Sequence, residues 1–170
     1  MQKQAISYAR FSSTKQKDGD SENRQADLYA QFCREHHLTP TTAMIDRGYS
    51  GFHGVHRSKG HFGRFLIAVK AGEIAKGTVL VVESWDRFSR ERIDVSFATV
   101  CEILRSGIEI GVCDLFEIFS DKDVGSSKIN MIFNDLQRSW RESKRKSDMG
   151  IRNQAKRRET GKKINGSVKS

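Results

Sequence analysis

The sequence predicts an α/β domain with a mostly parallel central sheet of four to five strands flanked by helices, followed by a long C-terminal helix. Segments with strand and helix patterns alternate along the 170 residues, which is typical of parallel strands joined by helical crossovers. The run Val79–Val82 is apolar on both faces, as in a strand buried inside such a sheet. Near the C-terminus, an apolar stripe at helical spacing is followed by charged residues that favour a continued helix.

The first half of the chain contains two predicted strands and two predicted helices. Residues 4–10 alternate apolar and small side chains, and residues 41–45 form a second short strand. Gly48, Gly51 and Gly54 indicate a loop rather than regular structure. Each helix is predicted from an apolar stripe: Leu28, Tyr29, Phe32 and Cys33 for the first, and Phe62, Phe65, Leu66 and Val69 for the second.

The second half adds a third helix, a strand at residues 108–113 and the long final helix. Gly107 suits the C-terminal cap of the third helix. A final helix of roughly 30 residues would be about 45 Å long, more than a domain of this size can cover. Its exposed half is expected to pack on a partner subunit or on DNA; a shorter helix followed by a disordered basic tail is the alternative. The apolar stripe of the third helix consists of Ile93, Phe97, Val100, Cys101 and Leu104, and that of the final helix of Ile129, Ile132, Phe133, Leu136 and Trp140.

The net charge of +9 lies entirely in the last fifth of the chain. Residues 1–137 contain 18 Lys and Arg and 18 Asp and Glu, whereas residues 138–170 contain 12 and 3. A concentrated basic segment attracts a phosphate backbone or an acidic membrane, although a solvated tail without a partner has the same composition. The side chains expected to bind DNA are Lys144, Arg145, Lys146, Arg152, Lys156, Arg157 and Arg158.

Other features limit the compartment and the cofactors. No apolar run approaches the roughly 20 residues of a membrane span, and the N-terminus has no signal-peptide apolar region. The three cysteines are odd in number and far apart, which indicates reduced thiols in a cytoplasmic protein. No metal is expected, because His53, His56 and His61 have no accompanying cysteine pair. No Gly-rich loop precedes a Lys-Ser/Thr pair, so no nucleotide is expected either, and the cofactor prediction is none.

Two polar clusters follow predicted strands: residues 10–16 and residues 83–90. In parallel sheets such positions gather at the carboxyl ends of the strands. If Arg87 and Arg90 lie on the first turn of the third helix, their spacing of three puts them on one face. A serine near several arginines favours phosphoryl transfer, because guanidinium groups neutralise the charge that develops on the phosphate oxygens. Taken singly, each signal also fits a turn serine, a helix cap or a surface ion pair.

Four blocks, in order, resemble the resolvase/invertase family of serine recombinases over about residues 4–160. The matching segments are Tyr-x-Arg-x-Ser at residues 8–12 with Gln16 and Gln25 after it, Asp-Arg-Gly-Tyr-Ser-Gly at residues 46–51 followed by Arg57, Glu-Ser-Trp-Asp-Arg-Phe-Ser-Arg at residues 83–90, and Gln-Arg-Ser-Trp-Arg-Glu-Ser at residues 137–143.

The resemblance implies a nucleophile and a set of phosphate-binding residues. Ser12 would attack DNA and form a 5′-phosphoserine link, while Arg10, Arg87 and Arg90 would bind the scissile phosphate. Asp86 would either orient these arginines or take part in proton transfer. The supporting residues would be Tyr8, Gln16, Gln25, Arg57 and Arg138.

The sequence departs from the family pattern at two of these positions. The family often has a proline after the arginine of the second block, where this chain has Ser58. In the last block Arg138 lacks the usual preceding acidic residues, so Arg138 or Arg141 could serve; we favour Arg138.

The resemblance also implies a domain order and partners. We expect a catalytic domain at residues 1–125, a helix for oligomerisation and DNA contact at residues 126–158, and a basic linker or the start of a DNA-binding domain at residues 159–170. Homodimers would pair into a tetramer through the long helix when two double-stranded DNA sites meet, with no membrane or nucleotide partner. The protein would be cytoplasmic, DNA-associated and of bacterial or phage type.

Family members carry a DNA-recognition domain after this region. We therefore expect the chain to be part of a longer protein, resembling the large serine recombinases (integrases or transposases) more than the small resolvases. Two other functions fit parts of the pattern. One is a non-catalytic DNA-binding or assembly module with the same fold, and the other is a phosphoesterase acting on small phosphates.

Overall fold

The structure of the chain, a computed structural model, describes residues 2–11, 18–47, 60–88 and 92–166. In these ranges five strands and five α-helices follow one another, with two short 3-10 turns at Trp85–Arg87 and Cys113–Leu115. The strands are β1 (Gln4–Phe11), β2 (Thr39–Arg47), β3 (Val79–Val82), β4 (Glu109–Val112) and β5 (Glu117–Phe119). The helices are α1 (Asp18–Glu35), α2 (His61–Lys70), α3 (Ile93–Arg105), α4 (Asp121–Val124) and α5 (Lys128–Gly166).

The five strands form one sheet in the order β2-β1-β3-β4-β5. The first three pairings are parallel, and β5 is antiparallel to β4. This confirms the predicted α/β class with a mostly parallel sheet. Strand β5 and helix α4 were not predicted, because they have only three and four residues and are too short to show a periodic pattern.

The register of β1 brings the ends of the parallel strands together. Tyr8 lies opposite Val82 of β3, and Arg10 lies opposite Asp46 of β2. The residues that follow Val82 therefore start beside the carboxyl end of β1. Polar side chains from three separate parts of the sequence meet at this edge of the sheet.

Helices cover both faces of the sheet. Successive residues of a strand point to opposite faces and therefore contact different helices. On one face, Leu80 and Val82 pack with residues of α2, α3 and α5. On the other, Val79 and Val81 pack with Phe32 of α1. Gly111 lies under that ring: a Cβ added to it would be 2.7 Å from Phe32 Cε1.

The long final helix has 39 residues, which corresponds to about 58 Å. Ile132 and Leu136 are fully buried in the core, whereas the side chains described from Arg141 onward are exposed or half-buried. The helix runs past its predicted end at residue 158, through Gly161, to Gly166. A glycine inside a helix costs only about 1 kcal/mol, which good helix formers such as the neighbouring lysines can offset.

Among the described residues, no helix is both long enough and apolar enough to cross a membrane. The three cysteines all lie in the described ranges, and each has a free thiol.

Candidate active site

Arg10 is the buried basic residue near the end of β1, with only 4% of its surface exposed. Its Nη2 donates a hydrogen bond of 3.1 Å to the main-chain carbonyl oxygen of Asp86. This bond joins the ends of β1 and β3, which are neighbours in the sheet. Burial and the bond to Asp86 restrict the guanidinium to this position.

Asp86 and Arg87 lie on the 3-10 turn that follows β3. The turn is anchored by Trp85, which is buried and packs on Phe119 with the ring centroids 5.1 Å apart. The hydroxyl of Ser84 donates to Asp86 Oδ1, and Arg87 Nη1 lies 3.4 Å from Asp86 Oδ2. The turn therefore presents a carboxylate and a guanidinium side by side.

The position of Arg87 corrects one expectation. Arg87 does not lie on the third helix, because α3 begins only at Ile93. Arg92, the residue before α3, is not helical (φ −54°, ψ 143°). Spacing alone therefore says nothing about a face shared by Arg87 and Arg90.

Glu83, the residue after β3, connects this turn to α1. Its Oε1 accepts a hydrogen bond of 2.7 Å from Arg24, and its Oε2 accepts one of 2.7 Å from Gln25. Arg87 Nη2 also donates to Oε2. One carboxylate therefore brings Gln25 and Arg87, both predicted site residues, to the same point.

Tyr8 and Asp46 form a second polar contact near this edge. Tyr8 Oη donates to Asp46 Oδ2 at 3.4 Å. Burial raises the pKa of Tyr8 well above its usual value, and the Asp46 carboxylate adds to the effect while Arg10 opposes it. The phenol therefore keeps its proton and acts as a donor.

Asp46 also accepts hydrogen bonds from the first helical residues of α2. The main-chain N–H groups of His61 and Phe62 donate to its two carboxylate oxygens at 2.7 and 3.2 Å. A carboxylate at a helix N-terminus satisfies donors that the helix leaves free and interacts favourably with the helix dipole. Asp46 is therefore the cap of α2, supplied from β2.

A cavity of about 330 Å³ is lined by residues of the 3-10 turn and of α5. Asp86 and Asp114 line it together with Arg138 and Lys146 of the long helix. Arg138 forms an ion pair of 3.1 Å with Asp135, while 69% of its side chain is exposed. The structure thus places Arg138 on the same cavity as Asp86, without direct contact between their charged groups.

Asp114 follows β4 and carries a perturbed carboxyl group. Desolvation of this carboxyl group raises its pKa, although Asp114 is exposed overall, and the nearby carboxylates of Glu83 and Asp86 raise it further. Its main-chain N–H donates to the carbonyl oxygen of Glu83 at 2.9 Å. Three acidic side chains thus share this edge with Arg87.

The structure brings together Tyr8, Arg10, Gln25, Asp86 and Arg87, which the sequence analysis had selected from separate blocks. The predicted residues Ser12, Gln16, Arg57 and Arg90, together with His53 and His56, lie outside the described residues.

Arg24, Asp46, Glu83 and Asp114 were missed as site residues. Asp46 and Glu83 do stand inside the matched blocks. Asp46 is the next-to-last residue of β2 and Glu83 directly follows β3, and this position near a strand end is the signal that could have identified them.

The basic side chains predicted to bind DNA all lie on α5. Lys144, Arg145 and Lys146 are exposed, and so are the four others at positions 152, 156, 157 and 158. The ammonium group of Lys144 lies 5.1 Å from the ring centroid of Trp140. The helix thus presents an extended array of exposed cations beyond the body of the domain.

Comparisons with known proteins identify the family. The family model described as "Resolvase, N terminal domain" matches residues 5–163. The chain is 43% identical over 115 residues to the "Uncharacterized protein YbcK" of Escherichia coli (strain K12). That match covers 66% of this chain but 23% of the relative, so the chain spans less than a quarter of that relative's length.

Two solved structures show the same fold. A resolvase family site-specific recombinase from Streptococcus pneumoniae superposes with a TM-score of 0.57 and 18% identity, covering 92% of this chain and 99% of that one. The N-terminal catalytic domain of TP901-1 integrase gives a TM-score of 0.55 and 16% identity, covering 85% and 98%. With the family model matching nearly the whole sequence, the chain belongs to the resolvase N-terminal domain family of serine recombinases.

Proposed function

We propose that this chain is the catalytic part of a site-specific DNA recombinase, in which Ser12 attacks a DNA phosphodiester. The observation that carries the proposal is the convergence of Arg10 and Arg87 on Asp86. Arg10 donates to the Asp86 carbonyl and Arg87 lies against its carboxylate, at the carboxyl ends of two adjacent parallel strands. Ser12 comes two positions after Arg10 in the sequence and directly follows the last residue of β1.

The reaction would conserve the energy of the broken phosphodiester. The Ser12 Oγ–P bond would form while the bond from phosphorus to the 3′ oxygen breaks, leaving a 5′-phosphoserine and a 3′-hydroxyl. The serine proton would leave as the nucleophile attacks, and the departing 3′ oxygen would take up a proton. After strand exchange, a 3′-hydroxyl would attack the phosphoserine and release Ser12, so religation would need no external energy source.

Two arginines would stabilise the charge on the phosphate. Guanidinium groups hold phosphate oxygens through paired hydrogen bonds and stay charged at any relevant pH. Arg10 would act from a fixed, buried position, and Arg87 from the 3-10 turn. We propose that Arg90 and Arg57 complete the set, with Gln16 as a further supporting residue. The proximity of Asp86 to both described arginines supports a role in orienting them.

The long helix would supply the remaining contacts. Arg138 lines the cavity that also contains Asp86, which supports Arg138 over Arg141 as the family arginine. The exposed cations of α5 would lie along the DNA backbone, and the helix would pair protomers into dimers and then a tetramer. We propose residues 1–125 as the catalytic domain, the helix as the assembly element, and the basic C-terminal end as a link to a DNA-recognition domain.

Covalent capture on DNA tests the proposal. The protein containing this chain is mixed with host chromosomal fragments, quenched with detergent, and analysed for DNA that remains bound to protein. Native protein and the Ser13→Ala control should form adducts, and Ser12→Ala should form none. Adducts that persist in Ser12→Ala would exclude Ser12 as the nucleophile. Salt-dependent DNA binding without any adduct from the native protein would favour the non-catalytic module.

A further inference from the structure

The carboxylate of Glu83 accepts hydrogen bonds from three side chains on two parts of the chain. Arg24 donates to Oε1 and Gln25 to Oε2, both at 2.7 Å, and Arg87 Nη2 donates to Oε2 as well. Only 11% of the Glu83 side chain is exposed. Helix α1 and the 3-10 turn are therefore joined through one acidic group that directly follows β3.

Glu83 is the main constraint on Arg87 among the described residues. The side chain of Arg87 is 14% exposed, so its charge is largely removed from water. Its other acidic neighbour, Asp86, is 3.4 Å away at Nη1, and Asp86 also accepts from Ser84. A nearly buried guanidinium needs a close counter-charge, and Glu83 provides the closer of the two.

The arrangement still leaves part of the guanidinium for a ligand. Glu83 engages Nη2, while the buried Nε of Arg87 has no hydrogen-bond partner among the described residues. Arginine has five N–H donors in a rigid plane, so fixing one nitrogen fixes the directions of the others. A guanidinium held at Nη2 would present its exposed edge to a phosphate in a set direction, while Nε stays buried.

Glu83 also fixes a second predicted site residue. Gln25 donates its amide N–H to the same oxygen that receives Arg87. Gln25 lies on α1, the helix that follows the Ser12 segment in the sequence. The carboxylate of Glu83 thus sets the position of Arg87 on the 3-10 turn relative to Gln25 on α1.

We propose that Glu83 is a positioning residue for DNA cleavage: its carboxylate holds the guanidinium of Arg87 and the amide of Gln25 in the arrangement that receives the scissile phosphate. This rests on the proposed function. Glu83 does not contact the phosphate itself and acts through Arg87. Because positioning affects the transition state more than initial DNA binding, the rate of cleavage depends on Glu83 more than DNA affinity does.

The first test is a double-mutant cycle on the protein containing this chain, with the rate of adduct formation as the readout. Glu83→Gln should slow adduct formation by about 10- to 100-fold, as expected for a misplaced catalytic group. DNA affinity should change less than about threefold, since most of that affinity comes from phosphate contacts elsewhere. The Arg87→Lys background lacks the planar guanidinium. In that background Glu83→Gln should slow adduct formation by less than about threefold, because the two residues act together.

The matched control is Glu109→Gln. Glu109 is also a partly buried glutamate in an ion pair, with Lys3 at 2.7 Å, but it begins β4 at the opposite end of the sheet. This variant should form adducts at the native rate. Equal slowing by Glu109→Gln, or costs of Glu83→Gln that are the same in both backgrounds, would overturn the role of Glu83 while leaving the proposed function intact. The absence of adducts from native protein would overturn both.

A second measurement does not depend on activity. In the protein without DNA, ¹⁵N NMR of the Arg87 guanidinium should show slow rotation, with separate signals for Nη1 and Nη2. Glu83→Gln should average those signals, and Glu109→Gln should not. Restricted rotation that persists in Glu83→Gln would show that other groups hold Arg87, and would overturn the proposal even if cleavage slows.

Discussion

Gly60 lies directly against the carboxylate of Asp46. A Cβ added to Gly60 would be 2.7 Å from Asp46 Oδ2 and 2.8 Å from Oδ1, closer than real contacts allow. Asp46 is 1% exposed and accepts hydrogen bonds from the N–H groups of His61 and Phe62. Glycine at position 60 therefore leaves room for the side chain of Asp46, on β2, to cap α2.

Gly60→Ala should destabilise the protein, because the new methyl group displaces Asp46 from the buried N–H groups that it caps. A loss of about 1–3 kcal/mol is expected for leaving such donors without a partner. Urea unfolding monitored by circular dichroism measures it. Gly150→Ala is the matched control, since a Cβ at Gly150 of α5 meets nothing within 4 Å. That change should be neutral or stabilising by up to about 1 kcal/mol. Equal stability of Gly60→Ala and native protein would contradict the close contact.

Asp114→Asn should make the protein more stable at neutral pH. Desolvation of the carboxyl group and the carboxylates of Glu83 and Asp86 raise the pKa of Asp114 in the folded state. Between the unfolded and folded pKa values the folded state binds more protons, so the Asp114 contribution falls as pH rises above about 4. Asparagine cannot ionise, so it removes the cost of carrying a negative charge at this position in the folded protein.

The midpoint of urea unfolding, measured from pH 3 to pH 7, checks this prediction. The native protein and Asp114→Asn should have similar midpoints at the acidic end and diverge as the pH rises, with the variant higher. An Asp121→Asn variant, changed at an exposed position on α4, serves as the control. A lower midpoint for Asp114→Asn at pH 7 would show that the charge is stabilising in the folded protein.

The cysteine thiols should react slowly with alkylating agents in the folded protein. Burial raises the pKa of Cys113 to about 12, with smaller additions from Asp114, Cys33 and Glu83. Burial also raises the pKa of Cys33 and Cys101. Because the thiolate is the reactive form, only a small fraction of each cysteine is nucleophilic at pH 8.

Iodoacetamide labelling at pH 8 followed by peptide mass spectrometry measures the effect. The half-buried Cys101 should react before Cys33 and Cys113, and all three should react rapidly in urea. Fast labelling of Cys113 in the native protein would contradict its burial.

Basic side chains on α5 should govern the salt dependence of DNA binding. Arg157→Ala should weaken binding to duplexes of unrelated sequence to a similar extent and lower the slope of log K against log salt by about one. Fluorescence anisotropy at several salt concentrations measures both quantities. Lys122→Ala, an exposed change on α4, should leave the slope unchanged. A loss of binding affinity confined to one DNA sequence would indicate that Arg157 contacts bases instead.

The elements that could be predicted from the sequence are those whose patterns are local. Val79–Val82 is apolar at every position, and it forms the predicted buried strand. By contrast, β5 has three residues, and its antiparallel pairing with β4 depends on the packing of Phe119 in the core. A segment of that length has no periodicity to detect.

The site could be predicted as a set of residue types but not as a network. The strand-end blocks selected Arg10, Asp86 and Arg87, which the structure brings together. The bonds of Glu83 to α1 join positions 58 and 59 residues apart, and no local pattern indicates such a pairing. The spacing of Arg87 and Arg90 suggested a shared helix face because a 3-10 turn before α3 has no clear sequence signal.

Identification of the residue that becomes linked to DNA tests the central claim most directly. After covalent capture and nuclease digestion, trypsin should release residues 11–15 as one peptide, with cleavage after Arg10 and Lys15. Tandem mass spectrometry of that peptide is expected to show a phosphate-linked nucleotide remnant on Ser12. A remnant on Ser13 or on another residue, or an unmodified peptide from captured complexes, would contradict the assignment of Ser12 as the nucleophile.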